Sequence, residues 1–340
     1  MLRFLIAITY CSLSLASTDF DLMPRGTRAL AMGGTGVVSS HDAYAPYYNP
    51  AALCNTTRME TAVEYTPMFG VGDDLGNGGA SIHFSDGLSL AAAYSRSEVN
   101  GIPVYEELIG TAYEDRIVNQ ILRSTGASSG TIQFSNNLFI LSMARWFKLN
   151  ATTGEFSRLS IPLILSGGAS LKFRRQTASV ESGGNYPDFV GMSTDIDGGL
   201  LASFQIDRNI STGLPTKIFN IGFALKNILA TDIKYNSDLD YSDEVDRIRT
   251  IAFSYRQNID YIKGSIEGTM DFIKSGTMKM ERFGSEVCFL QKYFLRFGYI
   301  EGSPSFGLGL VHKNIGIDWA YRHHELASQP YKISISYQID

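Results

Sequence analysis

The last ten residues alternate without a break. Tyr331, Ile333, Ile335, Tyr337 and Ile339 hold one parity, and Lys332, Ser334, Ser336, Gln338 and Asp340 hold the other. A period of two places successive side chains on opposite faces of a strand. The same alternation runs through Ile315, Ile317, Trp319 and Tyr321, and through Phe306, Leu308 and Leu310. Phe219, Ile221, Phe223 and Leu225 oppose Asn220, Gly222, Ala224 and Lys226. Ile262, Ile266, Met270 and Phe272 oppose Lys263, Ser265, Glu267, Thr269 and Asp271. Read along the chain, the pattern predicts strands at 58–67, 78–86, 87–96, 130–147, 158–175, 193–207, 214–227, 245–257, 259–273, 277–289, 291–301, 303–313, 314–323 and 330–339. The count is fourteen, an even number. Many of these segments approach the ~9–11 residues that a tilted strand needs to cross a bilayer, whereas soluble strands centre on about 5–6 residues.

Two segments break the pattern. Residues 17–57 carry paired glycines, prolines and small residues, with no period of two, and read as a compact irregular unit. Within 97–129, Tyr105, Leu108, Ile109, Ala112, Tyr113, Ile117 and Ile121 recur at spacings of three and four after Pro103, which predicts an amphipathic helix in a connecting loop. Its apolar face either caps a rim or lines an entrance. Pro162, followed by Gly167 and Gly168, interrupts strand 158–175 and predicts a bulge or a local wall defect.

Strands with one apolar and one polar face suit a closed sheet in hydrocarbon. No water is available there to satisfy a backbone edge, so the sheet must close, with its apolar set outward. Lys263, Glu267, Asp271, Asp318, Arg322 and Lys332 would then face the lumen. A charge facing lipid at mid-bilayer would cost roughly 2–4 kcal/mol. A soluble two-sheet sandwich gives the same parity with the apolar face as core. Connection lengths bear on the choice. Short turns near 85–87, 257–258, 291–292 and 313–314 fall at one end, and long connections at 97–129, 176–192 and 228–244 fall at the other. That is the asymmetry of an outer-membrane barrel.

Composition agrees. Charged residues make up 19 % of the 340-residue chain, which also holds 33 glycines and 38 phenylalanines and tyrosines. The usual charged share is about 25 %. A formal net charge of −5 argues against nucleic acid as a partner. Residues 1–16 read as a secretory signal, with Arg3 as the basic region, an apolar stretch from Leu5, and Ser14-Leu15-Ala16 as the cleavage site. Without them only Cys54 and Cys288 remain, which pair once or stay free.

No catalytic or metal-binding motif of the HExxH, paired CxxC or GxSxG kind occurs, so the chain is expected to be no enzyme and to use no cofactor. Asp238, Asp240, Asp243, Glu244 and Asp246 form an acidic loop, read as a solvated charge run with calcium binding as the alternative.

The N-terminal unit resembles the FadL family of outer-membrane transporters and its PorV-like relatives. The residues that carry the resemblance are Gly26-Thr27-Arg28-Ala29, Ala31-Met32-Gly33-Gly34, Asp42-Ala43 and Tyr48-Asn49-Pro50-Ala51-Ala52-Leu53. Later phrases match too, among them 168–172, 195–201, 222–227, 307–310 and 317–321. The resemblance implies an all-β transmembrane antiparallel barrel of about 14 strands with an N-terminal plug, or hatch, inside the lumen. It divides the chain into a signal at 1–16, a plug at 17–57 and a barrel at 58–340 with a helical outer loop at 97–129. It implies a bacterial outer-membrane location, embedded in lipid, and passive diffusion of long-chain fatty acids or other small hydrophobic molecules. Tyr105, Leu108, Ile109, Ala112, Ile117 and Ile121 would contact the ligand, and Gly33, Gly34, Asn49, Pro50 and Ala51 would plug and gate. A PorV-like chain would instead be the outer-membrane partner or scaffold of a protein-secretion system. The chain ends in Asp340, where barrels of this kind commonly end in an aromatic residue.

Overall fold

The computed structural model describes residues 20–68, 73–104, 130–152, 160–182, 189–208, 215–236, 242–323 and 331–339. Fourteen strands form one closed antiparallel wall: β1 Met59–Met68, β2 Asp73–His83, β3 Leu88–Val104, β4 Gly130–Thr152, β5 Ser160–Ser182, β6 Phe189–Arg208, β7 Pro215–Lys226, β10 Ile248–Ile259, β11 Gly264–Ser275, β12 Met278–Phe289, β13 Tyr293–Ile300, β14 Ser303–His312, β15 Ile315–Arg322 and β16 Tyr331–Ile339. Each pairs with its neighbour in sequence, β7 with β10, and β16 closes on β1 from Met59 opposite Ile339 to Tyr65 opposite Ile333. Two short strands, β8 Ile233–Tyr235 and β9 Ser242–Asp243, add to the rim of β6 at Gly191 and Met192.

Alternation decides inside from outside. On β16 the outward Ile335 is 53 % exposed, while on β11 the inward Glu267 and Asp271 are 1 % exposed. A wall apolar outside and charged within is the inverse of a soluble sandwich, and hydrocarbon is the solvent that such a surface requires. Asp318 and Lys332 face inward and are bonded there. Lys263 does not. It is exposed at the end of the tight turn Asp260–Ile262, with φ of 46°, so the parity read through 262–263 crosses a turn and not a strand.

The wall is uneven. β4 and β5 each have 23 residues and β6 has 20, against 8 to 10 in β13 to β16. One side therefore stands taller than the other. Three expectations change on this tall side. The loop placed at 97–129 begins later, because 97–104 continue β3 and pair with β4 as far as Val104 opposite Gly130. Pro103 starts no helix. It lies opposite Thr131, after a bulge between Val99 and Ile102 at which Gly101 takes φ of 73°. The connection placed at 176–192 shrinks to 183–188, since pairing holds β5 in register through Ser182. Finally, Pro162 makes no bulge, but the β5–β6 ladder stops beside it although β6 runs on to Arg208. It pairs with Asn150 without a register shift, one residue beyond the start of the β5–β6 ladder at Leu163.

Candidate functional site: the lumen and the N-terminal segment

Residues 20–57 touch opposite sides of the closed wall. Gly33 packs against the backbones of Phe283 and Tyr299, while Asn49 reaches Leu200 and Tyr47 reaches Gly78. The short helix Thr27–Ala31 ends in Gly33 and Gly34, whose φ values of 67° and 75° suit glycine. The Gly33 N–H then donates to Ser305 Oγ at 3.1 Å. Across the lumen Asn49 is fully buried and caps the 3-10 turn Pro50–Asn55 by accepting the Ala51 N–H at 3.0 Å. Its Nδ2 donates to the Val37 carbonyl at 3.0 Å and to the Leu200 carbonyl at 3.3 Å. Close approach needs wall positions without a side chain. A β-carbon on Gly168 would lie 2.6 Å from the Pro50 carbonyl carbon, one on Gly284 would lie 2.5 Å from the Met32 carbonyl oxygen, and one on Gly199 would collide with Asn49 Oδ1. Gly33–Gly34 and Asn49–Pro50–Ala51 thus rest on two different walls, β12–β13 and β5–β6.

Charge holds the segment on the β11–β16 side. Arg28 Nε donates to Glu286 at 2.9 Å and its Nη2 lies 3.5 Å from Glu267. Arg296 bridges Glu286, at 2.6 Å, and Asp318. Asp271 accepts the backbone N–H of Gly36 at 2.9 Å and of Val37 at 3.3 Å. Arg282 donates to the Gly34 carbonyl at 3.1 Å and the Leu22 carbonyl at 2.7 Å. Lys332 reaches the Pro24 carbonyl at 2.7 Å and Glu64 at 2.9 Å. At the tall side a second clamp joins Asp21 to Arg174, to Lys172 at 3.6 Å and to Asn227 at 2.9 Å. Burial alone would raise the Asp21 carboxyl. Arg174 and Lys172 outweigh it and hold the group well below its ordinary value of 3.8. These inward charges are consumed by the segment and are not open to an ion stream.

The opposite side carries few charges: buried Asn77, Ser81, Ser95, Asn136 and Ser142 alternate there with apolar side chains. Leu75 on β2, Ala93 on β3, and Leu138 and Ile140 on β4 turn inward and form one buried cluster with Tyr44, Tyr47, Tyr48, Val37 and Val38. An enclosed gap of about 20 Å³ beside Asp21, Tyr48, Lys226, Asp271 and Arg282 has room for about one water.

The sequence picks out Glu267, Asp271, Asp318 and Lys332 from parity, but not their partners Arg28, Glu64 and Arg282. The same parity carries a signal for Glu64, Lys172 and Arg174, because each is a charge or amide on an inward position of an alternating strand. The pairing across the lumen is non-local and carries none. Tyr105, Leu108, Ile109, Ala112, Ile117 and Ile121 lie outside the described residues, as do the signal stretch, Asp238 and Asp240. Among the described residues no three His, Cys, Asp or Glu side chains converge as a metal site, and Cys54 and Cys288 are free thiols.

Solved structures share this architecture. The toluene transporter TbuX of Ralstonia pickettii aligns with 94 % of this chain and 100 % of its own, at a TM-score of 0.51 and 11 % identity. The toluene transporter TodX of Pseudomonas putida aligns with 94 % and 99 %, at 0.52 and 10 %. A Pseudomonas aeruginosa FadL homologue covers 94 % and 99 % at 0.49 and 10 %. No family profile and no curated protein matches. The two transporters carry the conclusion that the chain has the closed-barrel fold of FadL-like outer-membrane transporters.

Proposed function

We propose that this chain is an outer-membrane channel for small hydrophobic molecules, passed by passive diffusion, with residues 17–57 as a movable plug. One observation carries the reading: the lumen is filled by the chain's own N-terminal segment, tied down by charge against β11–β16 and, through Asp21, against β5, and packed through its tyrosines on an apolar cluster of β2–β4 between them. A general pore for ions or sugars would keep a wide wet lumen. An apolar molecule entering from the outer end would travel along Leu75, Leu138 and Ile140 and displace the tyrosines of the plug. Long-chain fatty acids are the proposed cargo, and their apolar body is what toluene, carried by the two transporters, has in common with them. Capture falls to the outer residues Tyr105, Leu108, Ile109, Ala112, Ile117 and Ile121. Gating falls to Gly33, Gly34, Asn49, Pro50 and Ala51.

The test is uptake of labelled oleate and of toluene into liposomes holding the purified protein. Wild-type liposomes should outpace empty ones. Asn49→Ala removes a cap and two donors, about 1–2 kcal/mol of local restraint, and should raise uptake several-fold while heat-resistant migration of the barrel stays intact. Unchanged uptake would remove Asn49 from the gate. No uptake of either compound by the wild type, with a secreted protein retained on the barrel, would replace transport by the scaffold role.

A further inference from the structure

Outward on the strands beside the rim, cations stand in a row. Arg249 on β10 lies directly opposite Lys274 on β11, and Lys274 lies directly opposite Lys279 on β12. All three are exposed, as is Arg247 just before β10. Among the described residues none of the four has an ion-pair partner, whereas the outward Arg96 on β3 is held by Glu98 at 2.7 Å. Like charges placed directly across a ladder repel and destabilise it. Here two such pairs are consecutive.

Their height matters. The next outward row toward the barrel waist is Ile251, Phe272 and Glu281, and the one after it is Phe253, Met270 and Phe283. The cations therefore begin where the apolar belt ends, flanking the two-residue turn between Ser275 and Met278, at the end of the wall that also carries the β8–β9 rim. Beside them opens a cleft of about 450 Å³ lined by Arg247, Arg249 and Lys274, and also by Asp232, Glu244 and Asp246.

We propose that this row binds the phosphates of an anionic lipid in the outer leaflet. The inference rests on the outer-membrane placement proposed above and not on the hydrophobic cargo. Phosphates at the headgroup level meet Arg249, Lys274 and Lys279 just beyond the hydrocarbon. They cancel the repulsion along the ladder, while the carboxylates Asp232, Glu244 and Asp246 in the cleft keep the phosphates on its outer face.

Native mass spectrometry of the detergent-solubilised full chain with added bisphosphorylated lipid A, or with phosphatidylcholine, tests it. The wild type should retain lipid A in preference to phosphatidylcholine and should release it as salt rises. Replacing Arg249, Lys274 and Lys279 together by Gln should weaken retention on the order of a hundredfold, at roughly a factor of five per cation, while Arg96→Gln leaves it unchanged. Without lipid the triple variant should melt at or above the wild type, because the repulsion is gone, and added lipid A should reverse that order. If the triple variant fails to fold, Lys274→Gln alone should still weaken retention about fivefold. Equal retention by wild type and variant, or no preference over phosphatidylcholine, overturns the proposal. Retention is scored apart from uptake, so failure of either leaves the other standing.

Discussion

The two halves of the lumen hold the same N-terminal segment by different physics. Against β11 to β16 it is fixed by buried ion pairs and by backbone groups bonded to Asp271, Arg282 and Lys332. Against β2 to β4 it meets Leu75, Ala93, Leu138 and Ile140 through tyrosine rings. The charged contacts are directional and costly to break singly, because the partner left behind stays buried without compensation. The apolar contacts are non-directional and can be exchanged for those of another apolar body. If the segment moves as proposed, it should yield first between the two charged anchors, where β2 to β4 hold it only by apolar contact.

The sharpest way to break that comparison is at Glu286, which receives both Arg28 and Arg296. Glu286→Ala takes the shared carboxylate from two buried guanidinium groups, leaving Arg28 only Glu267 and Arg296 only Asp318, and should cost up to about 3–5 kcal/mol, seen as a lower melting temperature in detergent and as leakage of a small polar dye. A middling effect is expected from the tall wall. Gly199→Ala drives a methyl group into Asn49 Oδ1 and should cost about 1–3 kcal/mol, with leakage confined to the β5–β6 side. Dye entry through a cysteine-labelled lumen, mapped side by side, checks that asymmetry. Equal leakage along both sides would end it.

Acid should do least. The Asp21 carboxyl lies below its ordinary 3.8 in the folded chain, so its stabilisation is complete above that value and fades only as pH falls through the lowered one. Leakage should stay flat from about pH 8 to pH 5 and rise only below about pH 3. No rise in the low-pH range would put the Asp21 clamp outside the plug's hold.

The barrel was legible because two solvents impose one rule. Lipid outside and charge inside force alternation residue by residue, so strands such as Tyr331–Ile339 can be read from a few positions. Reading fails where that rule lapses. At Asp260–Ile262 a tight turn carries an apparent parity into Lys263. At Pro103 a residue that opens helices sits instead after a bulge, held by its partner Thr131. The charged inward residues of β11, β15 and β16 were visible one by one, but what each would bind was not. Arg28 lies 258 residues from Glu286, and local pattern says nothing about contacts of that range.

The glycines beneath the segment have a mechanical consequence. Where Gly168 and Gly284 face Pro50 and Met32, main chain lies on main chain, and at Gly199 the wall offers only backbone to the Asn49 side chain. Withdrawing the segment there requires no wall side chain to swing aside. Under the proposed gating, what it would uncover there is bare sheet, so the width of the opening would be set by the wall and not by a side-chain gate.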